Sequence, residues 1–563
     1  MTSLAVTSFL RATLLFLTAI QIHWSARATE PEIWLAPEDS IKRAQRGEPP
    51  GDFMDLFPPD APWAKAASHV QVFEIYPQFL ARSSDEELRA VIDGLKRRKI
   101  ALAISYGMLH RPKGAEMHEG YGAELAERDI AKLQRLGADV RYVVADEPLL
   151  FGHFFWGVGA PPLPIPDLAR DFVSTARLFR AAFPKVRFGM DDPIMLYKDE
   201  EWAPAMREFL DAYQKEFGER MGFVRLECAS FQIHEWQPRY LAAAELFHAA
   251  GVDFGTLVTG DATDPSDAQW VARAEERYVA WESWDRPAPA QVVFQSWMPR
   301  PSHNLPETAP DTLPHLLNGY FRERTKLTTG QDPEHVLARL SGANLRPLGG
   351  APVTVSILPG FDDPAMVHRM IKGTVPAEAR FVQVGLRIGL ESSRAGLAGL
   401  TLESPHYCEA GAGGEAATFE IVPGLKGWGT KGDAKWETVG DAAATKVEIT
   451  AATGQTLLLN SKLTAATPDR DFRVEFNVHV HPDTQTGYLI VFFFDASKKV
   501  IQHLTEPLVP ENPRVIQSLV TDADGKVNVS LLSPEIRSAR ELRLRYPGDD
   551  HLRPAFATIF PEP

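Results

Sequence analysis

Val140-Arg141-Tyr142-Val143-Val144-Ala145-Asp146-Glu147-Pro148 is a short, nearly unbroken apolar run that ends in two carboxylates and a proline. A run that is apolar on both sides reads as a strand buried in a parallel sheet, with helices over one face and a core against the other. Pro148 has no N–H to give and pushes Glu147 towards an extended backbone, so the ladder ends there. Acids at the carboxyl end of a buried parallel strand stand where α/β folds place their sites. The competing reading makes Asp146 and Glu147 plain caps of the next turn. This stretch alone leaves both open, and its surroundings weigh for a site.

Working outward, strands of this kind alternate with amphipathic stretches from about residue 30 to 325. Strands are expected at 33–37, 70–76, 100–106, 140–147, 186–192, 223–228, 252–259 and 292–297, and helices at 85–99, 122–136, 168–183, 202–217, 238–250 and 267–281. Ser84 before Asp85, Glu86 and Glu87, and Pro265-Ser266-Asp267, are helix-start signals. Eight strands with intervening helices are the count of an α/β chain closed as a (β/α)8 TIM barrel. An open sheet of seven strands, without 33–37, is the alternative.

Past Leu327 the pattern changes to short strands divided by glycine and proline, at 353–357, 381–388 and 397–402. The Gly/Ala-rich run 409–415 reads as a spacer, and 416–563 reads again as all strand. The expected division is therefore a barrel over 29–328, a small β-rich domain over 329–410 and a β-sandwich, of the kind that binds carbohydrate, over 416–563. Asp522-Ala523-Asp524-Gly525 reads as a turn. Ser533 stands where a calcium loop would need a bidentate glutamate.

Composition bounds the function. The chain has 563 residues, 44% hydrophobic and 24% charged, as in ordinary globular proteins, and its net charge is −15. That charge argues against nucleic acid and anionic membranes as partners and suits a neutral substrate such as a carbohydrate. Arg11, the apolar run 12–24 and Ala26-Arg27-Ala28 form an export-signal pattern over residues 1–28, so a secreted or periplasmic location is expected, with no membrane insertion of the mature form. Two cysteines, Cys228 and Cys408, exclude a disulfide scaffold or a cysteine-rich metal site. His110, His118, His153 and His234 lack metal-ligand spacing, and neither a metal nor a cofactor is expected.

Several strands finish in acids: Glu74, Asp146-Glu147, Asp191-Asp192, Glu227 and Asp261. Strand alternation puts Glu74 on the side of Val72 and Tyr76, Glu147 with Val143 and Ala145, Asp192 with Phe188 and Met190, and Glu227 with Phe223 and Arg225. A charge turned into the helix layer costs several kcal/mol unless paired, so the lumen mouth is the expected destination. Salt bridges to Arg141 and Arg225 are the bland alternative for any single acid. Four or five acids gathered at one end favour a functional cluster. On the last strand Gln291, Gln295 and Trp297 share one face, and an indole there suits the apolar side of a sugar ring.

Glu147-Pro148 ending a fourth strand and Trp297 ending an eighth resemble the retaining glycoside hydrolases of the large barrel clan, over about half of the chain. The resemblance implies hydrolysis of O-glycosidic bonds, with Glu147 as acid/base. Two residues depart from it: Asp146 stands where the clan has asparagine, and the seventh strand lacks the clan's glutamate nucleophile. Asp146-Glu147 also resembles the pair of the β-N-acetylhexosaminidases, in which the substrate's own acetamido group attacks. The two-carboxylate chemistry then assigns Glu147, with Glu227 and next Asp192 as the second carboxylate. Asp146, Glu74, Tyr76, Tyr106 and Trp297 are the expected substrate contacts. A barrel that binds sugar without cleaving it, and a metal-dependent hydrolase, are the other readings.

Overall fold

A computed structural model describes residues 30–559, except 114–119, 155–161, 195–196, 198, 228–232, 262–263, 265, 285–286, 298, 333, 360–366, 390–397, 410–415, 421–428, 432–433, 440–445, 452–455, 462, 481–485, 499, 508–513 and 538. The export signal, His118, Cys228 and the run 410–415 fall outside the described residues. The described chain divides into two compact units, one of residues 30–323 with 550–554 and one of residues 324–549 with 555–559.

The first unit is a closed barrel of eight parallel strands: β1 Glu32–Ala36, β2 Val72–Ile75, β3 Ala101–Tyr106, β4 Val140–Asp146, β5 Arg187–Asp192, β6 Phe223–Leu226, β7 Asp253–Val258 and β8 Gln291–Gln295. Closure depends on β1, whose Trp34 and Leu35 pair with Val72 and Phe73 on one side and with Val293 and Phe294 on the other. The open seven-strand alternative is thereby excluded. Outside the strands lie α1 Asp85–Arg98, α2 Ala126–Arg135, α3 Ile165–Ala182, α4 Asp199–Phe217, α5 Ile233–Ala250, α6 Asp267–Ser283 and α7 Leu313–Tyr320. Ser84 and Glu87 make a reciprocal capping box on α1, and Ser266 caps α6 by accepting from the Gln269 N–H at 3.3 Å. No helix among the described residues is long and apolar enough to cross a membrane.

Strand alternation makes two cores. Ile33, Leu35, Phe73, Ile75, Leu102, Ile104, Val143, Ala145, Phe188 and Met190 face the helices, and Trp34, Ala36, Val72, Ala103, Val144, Phe223, Leu257 and Val293 fill the lumen. Residues 550–554 belong to this unit. Arg553, buried, bonds the Glu282 carboxylate at 2.5 Å, the Arg322 carbonyl at 3.1 Å and the Tyr320 carbonyl, with its guanidinium 4.4 Å from the Tyr320 ring centre.

The second unit is mostly antiparallel sheet, with two six-stranded sheets, one of four and one of three strands among the described residues, and a short helix at Pro534–Arg537. The split into domains 329–410 and 416–563 does not hold. Pro352–Pro359 pairs with Arg514–Val520 and Ala539–Tyr546, and Val367–Thr374 pairs with Asp471–Val480, so sheets run across the spacer. Strands before the Gly/Ala-rich run and strands after it thus share the same sheets. The turn at Asp522 is as expected: its carboxylate accepts the N–H groups of Asp524 and Lys526, both at 2.9 Å, with Gly525 at φ 73°.

Candidate active site

The lumen is floored by aromatic rings. Trp34 lies 4.7 Å from the Tyr142 ring and 5.7 Å from Phe223, and Glu32 accepts from both the Trp34 indole and the Tyr142 hydroxyl. Phe223 fits because β5 carries Gly189 beside it, where an added Cβ would come within 2.2 Å of the ring.

Above this floor is a charged layer built on Arg225, which is fully buried. Its guanidinium bonds Glu74 at 2.6 and 3.1 Å and Asp191 at 2.5 and 2.8 Å, and it sits 5.1 Å over the Trp34 ring. Two forked contacts use four of the five N–H bonds, the geometry that suits a planar guanidinium between two carboxylates. Burial would lower the Arg225 pKa, but Asp191 and Glu74 outweigh it and hold the group above its usual value. Burial pushes Glu74 up and Arg225 pulls it back, leaving it above its ordinary 4.5. Gly255 makes room, since a Cβ there would meet the Arg225 Cγ at 2.9 Å.

The mouth lies above that layer. In the ladder, Asp146 pairs with Asp191 and Asp191 with Arg225, so Asp146 shares the inner face with Val144 and Tyr142 and is half-buried. Tyr76 donates to the Ser296 carbonyl at 2.9 Å and bonds Gln295. Burial first, then the charges of Glu74 and Asp146, hold its hydroxyl well above the tyrosine range. Trp297 packs half-buried against the lumen cluster. Glu227, half-buried, follows the inner-facing Phe223 and Arg225, and its N–H donates to the Asp192 carbonyl at 3.0 Å.

Glu147 breaks the strand rule. The alternation that groups it with Val143 and Ala145 would send it to the helix side, but its backbone is left-handed, at φ 47°. For a non-glycine residue that conformation costs about 1–2 kcal/mol. Beyond it, Leu150–Phe154 winds as a π-helical turn, with the Phe151 N–H donating to the Glu147 carbonyl at 3.1 Å. Strained residues and π-turns gather at functional sites. Glu147 is buried, and with Asp192 its charge helps hold the Tyr197 hydroxyl well above the tyrosine range, burial being the larger cause.

Of the residues expected at the mouth, the barrel gathers Asp146, Glu227, Tyr76 and Trp297 on the lumen side, with Glu74 beneath them. Glu74 is fully buried and held by Arg225, so it belongs to the layer beneath the mouth. Two residues are placed elsewhere. Tyr106 follows Leu102 and Ile104 into the helix layer, where its hydroxyl lies 3.1 Å from the Asp129 carboxylate of α2 and its ring 5.1 Å from Phe179. Asp192 follows Phe188 and Met190 to that same side. It is fully buried and accepts from Tyr197 at 2.6 Å and from the Trp202 indole, and burial pushes it up to about 7 against those two donors. Parity decided both cases: in β3 and β5 the small residues Ala103, Ser105 and Gly189 mark the inner face. Arg141, offered as a partner for the acids, instead pairs with Asp139 at the opposite end of β4, at 2.8 Å.

Asp191, Arg225, Tyr197, Trp202 and Gln295 complete the region; of these, Tyr197 and Trp202 had no part in the sequence reading, and Arg225 entered it only as a salt-bridge partner for single acids. Glycines 189 and 255 inside strands were the available signal, because a strand glycine marks the close approach of something large. The acids after β7 pair with α6: Asp261 lies 3.6 Å from Arg277, and Asp264 accepts from Arg273 at 2.7 Å. Among the described residues, Asp267, His303 and Asp311 come close enough together to hold a cation. However, the Asp267 oxygens already accept from Arg300 at 2.9 Å and from the Ser302 hydroxyl at 2.5 Å. His110 pairs with Asp171 at 2.6 Å, and a His153 ring nitrogen lies 2.8 Å from the Leu163 carbonyl.

No family model matches the chain, and no curated protein matches it. Among solved structures it is similar to BuGH86 in complex with neoagarooctaose, at 9% identity over 80% of this chain and 98% of that one, TM-score 0.32. It is also similar to an endo-1,4-beta-mannanase from Eisenia fetida, at 10% identity over 52% and 92%, TM-score 0.32. An aldo/keto reductase from Brucella melitensis is similar at 14% identity, TM-score 0.23, over 40% of this chain, which spans 66% of that one. Glycoside hydrolases are thus among the solved structures that this chain is similar to, and at these values none of the likenesses bears on its activity.

Proposed function

We propose that the chain is an exported hydrolase of O-glycosidic bonds, working on an oligo- or polysaccharide with Glu147 as general acid/base and Glu227 as the second carboxylate. The observation that carries this reading is the left-handed Glu147 at the carboxyl end of β4, a strained acid beside an inner-facing Asp146 at the mouth of a closed barrel. In this reading Glu147 gives its proton to the leaving oxygen, and Glu227 faces the sugar from the sixth strand. Trp297 offers a partly exposed indole for the apolar face of a sugar. The Glu74–Arg225–Asp191 layer fixes the charge beneath the sugar.

A second reading is favoured by Asp261 and Asp264, the described acids that follow β7, both of which pair with arginines of α6. Asp146 would then orient a substrate acetamido group as the nucleophile, with Glu147 still the acid. Release of reducing ends from glycans with 2-hydroxyl and with 2-acetamido sugars, with and without chelator, separates these readings. Chelator-insensitive cleavage of 2-hydroxyl glycans supports the first, and cleavage confined to 2-acetamido sugars supports the second. Binding without release from any glycan refutes both.

A further inference from the structure

We propose that Tyr197 is a positioning residue for Glu147, clamped by Asp192 so that the ends of β4, β5 and β6 keep one arrangement. This rests on the reading of Glu147 as the acid.

The geometry ties three strand ends to one buried residue. The Asp192 carboxylate accepts the Tyr197 hydroxyl at 2.6 Å on one oxygen and the Trp202 indole N–H on the other, while its backbone carbonyl accepts the Glu227 N–H at 3.0 Å. Tyr197 is also held through its backbone, for Arg239 donates to its carbonyl at 2.9 Å and to that of Ile194 at 3.1 Å. The Tyr197 ring then meets the β4 loop edge-on, 5.0 Å from Phe154, in the π-helical turn that starts on the Glu147 carbonyl. The Asp146–Asp191 pairing in the ladder sets Glu147 and Asp192 side by side at the ends of adjacent strands. A left-handed residue persists only where its surroundings over-determine it. A ring fixed at hydroxyl and backbone supplies that constraint from β5, and the same Asp192 fixes the backbone of Glu227. The charged groups facing this clamp are Asp191 on Asp192, and Glu147 on Tyr197.

A carboxylate can accept from both donors, whereas an asparagine amide opposes one of them, and phenylalanine at 197 removes one donor with little change of shape. Two measurements on the full chain test the role. In the first, Tyr197→Phe and Glu147→Gln are combined in a double-mutant cycle by urea unfolding. Coupling predicts at least an about threefold departure from multiplicativity in the unfolding constant, and multiplicative behaviour overturns the proposal whether or not a substrate is known. In the second, kcat and KM are compared for an aryl glycoside with a good leaving group and for a glycan with a poor one. A positioning role predicts that Tyr197→Phe and Asp192→Asn lower kcat about tenfold or more on the glycan, with KM held and the aryl glycoside spared. An equal loss on both substrates, or no loss where Glu147→Gln shows one, overturns the proposal. If Glu147→Gln itself is silent on the glycan, the acid assignment fails instead, and the cycle still decides whether Tyr197 and Glu147 are coupled.

Discussion

Replacing Arg225 by methionine tests the charged layer most severely. Methionine keeps much of the volume but removes all four hydrogen bonds to Glu74 and Asp191, leaving two carboxyls buried without a cation. In the unfolded chain Glu74 ionises near its ordinary 4.5, so keeping it protonated in the fold at pH 7 costs about 3 kcal/mol, at 1.36 kcal/mol per pH unit. Breaking one side of a buried ion pair typically costs about 3–5 kcal/mol, and the same range is expected here. The pH sign follows from the direction of the shift. Glu74 already sits above its unfolded value, and losing Arg225 raises it further. The fold therefore holds its proton more tightly than the unfolded chain does, and stability falls as pH rises from about 4.5 through the new, higher value. Urea unfolding followed by tryptophan fluorescence is the assay, since Trp34 lies directly under the guanidinium. The expected result is a deficit that is small near pH 4 and grows to several kcal/mol at pH 7. Adding Glu74→Gln and Asp191→Asn should recover part of it. A deficit below about 1 kcal/mol, or one that does not vary with pH, refutes the reasoning.

Three further outcomes are expected. Asparagine tolerates left-handed backbone several-fold better than most residues, so Glu147→Asn should be more stable than Glu147→Gln by about 1 kcal/mol in thermal unfolding; equal stabilities would contradict the strain. Asp192 titrates at about 7 in the fold against 3.8 unfolded, so wild-type stability falls between pH 4 and 7 and levels off above. The stability of Asp192→Asn relative to wild type should therefore rise across that window by at most about 4 kcal/mol, whatever its offset at pH 4, and a flat difference would contradict the shift. Arg553→Ala should cost about 2–4 kcal/mol in barrel stability by removing the buried guanidinium that holds the half-buried Glu282 and the Tyr320 and Arg322 carbonyls, and a chain ended at residue 549 should lose as much; unchanged unfolding of either would show that 550–554 are dispensable.

The barrel was legible because its signals are local. Alternation in β1 through β8, the Ser84 and Ser266 caps and the run to Asp146 each specify an element without help from distant chain. Strand parity was equally available, and at Glu74, grouped with Val72 and Tyr76, the inner face came out as expected. Asp192 and Tyr106 failed because acids and aromatics were read as mouth residues against their own strands' parity, which Phe188, Met190, Leu102 and Ile104 fix toward the helices. Glu147 is the opposite case. Its parity points to the helix side, and only its positive φ, which a sequence does not display, takes it off that rule. Arg225 joins strands two, five and six, a meeting set by the closure of the whole sheet and hence invisible to any local window. The second unit was misdivided for a similar reason: pairing of Pro352–Pro359 with strands beyond residue 510 is a long-range property that a Gly/Ala-rich run cannot reveal.

The central claim is that Glu147 delivers the proton to the leaving oxygen, and Glu147→Gln on two classes of substrate measures it directly. Glutamine keeps the size and the hydrogen bonding but has no proton to give. On a glycan with a poor leaving group kcat should fall about 10²–10⁴-fold, the usual worth of general acid catalysis. On an activated aryl glycoside the bond-cleaving step should be nearly spared, while Glu227→Gln loses both. Wild-type turnover of the glycan by a folded Glu147→Gln protein would contradict the account at its base.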